Sequence, residues 1–194
     1  MDLASPTPVP PDGRARAVAT IISAFASDPV ERWLWPEDDN YAAHFPTFVE
    51  AFAGPAFKRQ TAWMLDDCSA VALWLAPGAE PDGESIVAVL SETVPAAKHE
   101  DTFAVLDQME SNHPSTPHWY LPWLAVEHKL HGQGLGSTLL AQCLSQVDAS
   151  GLPAYLETPN PRTIPLYERH GFRATAVAQA GGCPPITQML RESD

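Results

Sequence analysis

The chain has 194 residues, enough for one domain with a substantial core and short of what two would need. Its 24 acidic against 11 basic residues give a net charge of −13, which disfavours a nucleic-acid partner, since such binding rests on neutralising phosphates. Hydrophobic residues make up 45% of it, yet no apolar run reaches the ~18 residues that cross a bilayer, so no membrane association is expected.

Taken from the N-terminus, MDLASPTPVPPDG is Pro-rich and polar, without the basic flank and apolar stretch of a signal peptide. It is predicted to be a disordered arm (1–13) on a cytoplasmic protein, with residues 14–194 forming one domain. Arg14 to Ala26 spaces Val18, Ile21, Ile22 and Phe25 as one face of an amphipathic helix. Asp28-Pro29 suits an N-cap and first helical position, and Pro36 ends that short helix. A third helix is expected over Asn40 to Phe52. Thr61 to Leu65 and Ala70 to Leu75 read as a hairpin around Asp66–Ser69. Helices over Glu84–Leu90 and Glu100–Met109 follow.

The C-terminal part is more regular. An aromatic-rich strand, His118 to Val126, leads through a glycine turn into a helix whose buried stripe is Leu135, Leu139, Leu140, Leu144 and Val147. Ala154 to Glu157 is a short strand, Thr163 to His170 a helix ended by Gly171, and Phe172–Val177 and Ile186–Leu190 two last strands. A strand–turn–helix–strand unit implies near-parallel neighbours. The fold class is α/β (α+β): a mixed, mostly antiparallel sheet with helices on both faces.

Three cysteines without a CxxC pair and seven scattered histidines without ligand spacing point to neither a disulfide framework nor a metal. The glycine turn LHGQGLGS, Leu130 to Ser137, is more informative. Few side chains at a helix start leave backbone N–H groups aimed at one spot, reinforced by the helix dipole, and so make an anion site. Gly132 and Gly134 can take angles closed to other residues, and Gly136 permits close approach. A P-loop is a weak reading because no lysine follows these glycines. The dinucleotide fingerprint fails at its third glycine, although Glu157 lies at about the distance of its acidic residue.

Val126 to Gly136 (VEHKLHGQGLG) resembles the acyl-coenzyme A motif of the GNAT N-acetyltransferase superfamily, with Gln133, Gly134 and Gly136 in their usual places. His131 departs from the pattern, standing where Gln or Arg is usual. Leu156 to Arg162 (LETPNPR) and Ile164 to Phe172 (IPLYERHGF) are similar to the C-terminal half of the puromycin N-acetyltransferase-like enzymes that modify small molecules. The resemblance spans roughly Trp119 to Phe172.

It implies acetyl-CoA as donor and no metal. The backbone from His131 to Ser137 (His131, Gly132, Gln133, Gly134, Leu135, Gly136, Ser137) would cradle the pyrophosphate. Leu124, Ala125 and Val126 would bond the pantetheine arm as an added strand does, and so would Asn160, which equally suits a turn between two prolines. That role requires a splayed strand pair, and Pro122, lacking an N–H, is the expected site of a bulge. Tyr167 would be the acid for the departing thiolate, although a packed core tyrosine fits the same position.

Glu157, at the carboxyl edge of its strand, is positioned to take a proton from the amine or to attract it. Trp33, Trp35 and Asp28, with Phe25, are candidate walls of the acceptor pocket, and core packing suits either tryptophan as well. The expected activity is transfer of acetyl to a primary amine of a small molecule by a monomer or homodimer. A silent acyl-CoA-binding sensor and an enzyme acting on protein N-termini or lysines are the alternatives. An imidazole offers one donor where arginine offers five, so phosphate contact through the His131 side chain would weaken cofactor binding above neutral pH.

Overall fold

Alternating apolar side chains build the centre of the molecule, a seven-stranded sheet seen in a computed structural model that describes residues 5–193. The strands are β1 (Thr7–Pro8), β2 (Ala62–Leu65), β3 (Ala70–Leu75), β4 (Trp119–Val126), β5 (Ala154–Thr158), β6 (Arg173–Ala178) and β7 (Ile186–Arg191). Their order is β1-β2-β3-β4-β5-β7-β6, and only β4 and β5 run parallel.

Even and odd positions of β3 feed different cores. Val71, Leu73 and Leu75 meet α1 (Arg14–Ala24), α2 (Pro29–Leu34), α3 (Asp38–Lys58), α4 (Gly83–Thr93) and α5 (His99–Asn112). Ala70, Ala72 and Trp74 face α6 (Leu135–Asp148) and α7 (Ile164–Arg169) on the other side. The expected mixed sheet with helices on both faces is therefore the observed one.

Along β4 this alternation breaks once. Leu73 stands opposite Trp123 and Leu75 opposite Tyr120, so β4 takes three steps where β3 takes two. The extra residue is a β-bulge at Leu121–Pro122. As a result Tyr120, Trp123 and Ala125 share one core, whereas Leu121, Leu124 and Val126 share the other.

Two expectations are corrected. The Pro-rich segment is not a free arm where it is described: Thr7 and Pro8 pair with Met64 and Trp63 and cap the sheet edge, and a 3-10 turn at Pro11–Gly13 leads into α1. Its first four residues lie outside those described. The third helix does not stop at Phe52 but runs to Lys58 through Pro46 and Pro55. Proline at 55 removes the N–H that would satisfy the Ala51 carbonyl; the Asp82 backbone N–H supplies that bond instead, at 2.8 Å.

Candidate active site

The glycine turn is held in shape by positive φ at Gly132 (+77°) and Gly134 (+82°), and Gly134 caps α6 without any side-chain bond. The first helical bond is Thr138 N–H to Gly134 O, at 3.0 Å. Among the described residues, the six backbone N–H groups from Gly132 to Ser137 have no protein acceptor. Space is open around a Cβ placed on Gly132 or Gly134, while one on Gly136 would stand 3.3 Å from Val126 Cγ2. Gly136 thus lets α6 approach β4, and the other two leave room for a ligand. Six free donors at the N-terminus of a 14-residue helix suit a pyrophosphate.

Next to this cradle the sheet is split. β4 and β5 pair at Trp119/Ala154, Tyr120/Tyr155 and Leu121/Leu156, and no further, although β4 continues to Val126 and β5 to Thr158. Parting begins at the bulge with Pro122, as expected from its missing N–H. The β5-facing edge of β4 from Pro122 onward is left without a strand partner, while its other edge stays paired to β3. Leu124, Ala125, Val126, His131 and Gly132, then Gly134 to Ser137, all line a cavity of about 820 Å³ that fills the split. Gln133 is exposed and does not line it.

Glu157 sits where β5 bends away and faces the same cavity. Its Oε2 accepts from Tyr120 (2.7 Å), and its Oε1 accepts from Tyr155 (2.8 Å) and Gln188 Nε2 (3.3 Å). Burial pushes its pKa up, opposed by those three hydrogen bonds. Asn160 Oδ1 accepts from Arg162 N–H (3.1 Å), shaping a turn, and Asn160 also borders the cavity. Tyr167 is buried on α7, its ring edge-on to Phe172. Its hydroxyl has no protein partner among the described residues, and burial followed by the charge of Asp28 raises its pKa.

A family model described as "Acetyltransferase (GNAT) family" matches residues 37–172, well over half of the chain. The chain belongs to the GNAT acetyltransferase family. An uncharacterised N-acetyltransferase of Schizosaccharomyces pombe is 24% identical over 92% of this chain and 79% of its own length. Two solved structures share the fold. A protein of Corynebacterium glutamicum, described as "histone acetyltransferase HPA2 and related acetyltransferase", has 24% identity and a TM-score of 0.68 over 98% of both chains. The C-terminal condensation domain of Ebony, solved with beta-alanyl-dopamine, has 12% identity and a TM-score of 0.70 over 98% of this chain and 99% of its own.

In this acetyltransferase the far end of the cavity is built by α1, α2, α5 and the β6–β7 loop. Phe25, Asp28 and Trp33 line it. Trp35 does not: it is fully buried among Phe45 and Phe48, with its indole N–H donating to Thr93 Oγ1 at 2.9 Å. Two residues along in a helix exit turns a side chain to another face, so only one of the paired tryptophans reaches the cavity. Asp28 caps α2 as expected, its Oδ1 accepting from Val30 (2.9 Å) and Glu31 (3.3 Å).

Sequence reasoning missed Glu31. It is 5% exposed, lines the cavity, and its Oε2 has no hydrogen-bond partner among the described residues. Thr102 Oγ1 and Trp123 Nε1 are orphaned in the same way and border the same space. No sequence spacing marks them, because α2, α5 and β4 meet only in the folded chain. Burial raises the Asp28 carboxyl to about 6, and burial with the charge of Asp28 pushes Glu31 well above its ordinary value. A carboxyl whose pKa is raised on folding holds its proton more tightly when folded, so stability falls as pH rises from the ordinary carboxylate range through these raised values. Glu31→Gln removes the charge that burial penalises. Its melting temperature is expected to exceed the parent's by a few degrees at about pH 8 and by little at about pH 5, as read by thermal denaturation.

His131 Nε2 donates to the Val126 carbonyl at 2.9 Å, tying the turn to the end of β4, and the residue borders the cavity.

Proposed function

We propose that this acetyltransferase moves acetyl from acetyl-CoA directly to a primary amine of a small molecule. The observation that carries the donor is the split between β4 and β5 beyond Leu121, opening beside six free N–H donors. An unpaired strand edge suits an amide-bearing pantetheine arm, and the N–H cradle suits its pyrophosphate. A small acceptor is favoured by the shape of the cavity, whose far end is an aromatic recess with buried carboxyls.

In the proposed reaction Glu157 takes the proton that leaves the ammonium, directly or through water. The freed amine attacks the thioester carbonyl, the C–N bond forms and the C–S bond breaks. Tyr167 gives its proton to the departing sulfur and recovers one from the nitrogen as that becomes an amide. With its pKa raised, the phenol rests protonated before the transfer and regains its proton after it.

The test is thiol release from acetyl-CoA on a panel of small amines and of peptides, beside thermal denaturation with acetyl-CoA alone. Release with amines but not peptides is the expected result, together with a rise in melting temperature. A rise without release from anything would mark a silent binder, and release with peptides alone would mark a protein-modifying enzyme.

A further inference from the structure

The cavity contains two carboxylate sites. Glu157 stands on β5, and hydrogen bonds from Tyr120, Tyr155 and Gln188 already engage both its oxygens. Asp28 and Glu31 stand on the α2 side and line the same cavity. The acidity of Glu157 is set by burial and its own three partners. Uncompensated charge at buried carboxyls is costly, and among the described residues Glu31 has neither a cation nor a hydrogen-bond donor to offset it.

A second orphan comes from a different element. Thr102 on α5 is 4% exposed, and its hydroxyl also lacks a partner among the described residues while bordering the cavity. Cys183 in the β6–β7 loop borders the same cavity as Glu31 and Thr102, and the neighbouring Gly182 N–H donates to Asp101 Oδ2 on α5 at 2.9 Å, so α2, α5 and that loop surround one recess. Phe25, Trp33 and Trp123 add aromatic surface to it. Acceptor oxygens beside aromatic rings in a dry recess suit an alkylammonium.

We infer that the acceptor carries two cationic centres, and that Glu31, Asp28 and Thr102 hold the one that does not react. This rests on the amine-acetylation reading. The amine that attacks must be neutral, so it cannot compensate a buried carboxylate throughout the reaction. A second ammonium keeps its charge from binding to product release. A linear diamine carries an ammonium at each end and a methylene body for the aromatic walls.

The experiment compares an n-alkylamine with the α,ω-diaminoalkane of the same chain length, by thiol release with the full chain. The parent is expected to show a kcat/KM at least tenfold higher for the diamine. Glu31→Gln should raise KM for the diamine about tenfold, leave its kcat within about twofold, and raise KM for the monoamine far less than for the diamine. Thr102→Val gives the same pattern at about threefold and serves if the first variant does not fold. Equal use of the two amines by the parent overturns the inference, as does a Glu31→Gln loss that falls on kcat for both. No thiol release with any amine overturns the acetylation reading and this inference together.

Discussion

Tyr167→Phe is expected to lower kcat by about 100-fold while KM for acetyl-CoA changes less than about twofold. The ring that packs against Phe172 is retained in phenylalanine, so the fold should be undisturbed. No protein group among those described hydrogen-bonds the hydroxyl, so its removal orphans nothing. A loss in kcat alone then reports the step in which sulfur departs. Burial and Asp28 hold the phenol protonated well beyond neutrality, so its own titration should not shape the pH–rate profile near pH 7. A kcat within about threefold of the parent would make Tyr167 a packing residue.

Gly134→Val is expected to act on the opposite constant. Gly134 holds φ at +82°, where a β-branched residue is strained by on the order of 1–3 kcal/mol. A Cβ meets nothing within 4 Å there, so the harm comes through the backbone and through space that a ligand needs. The six N–H groups keep their common aim only while the turn keeps its angles. KM for acetyl-CoA should rise at least tenfold, with kcat at saturation changed less than about threefold, as read by steady-state thiol release. An unchanged KM would remove the turn from donor binding.

How much of this was legible before folding depends on how local the cause is. The N-cap at Asp28, the αL glycine at 171 and the strand–turn–helix order follow from chemistry within a few residues, and all are observed. Pro122 is a local signal with a distant consequence: its missing N–H marked where β4 would part from β5. Other features depend on partners far along the chain. Thr7 and Pro8 become a strand only because β2 offers an unpaired edge, and α3 passes Pro55 only because Asp82 arrives to satisfy Ala51. Trp33 and Trp35 look alike in sequence, and only the folded helix exit sends one to the cavity and the other into the core. Glu31 reads as an ordinary surface residue of a short helix until burial and its lack of partner are seen.

Backbone hydrogen exchange with and without acetyl-CoA reads out whether the donor occupies the split beside the glycine turn. The result expected is slowed exchange at the free amides of residues 132–137 and along the unpaired edge of β4 at residues 124–126, with little change at β2 and β3. Slowing that leaves both segments untouched while acetyl-CoA is bound would contradict it.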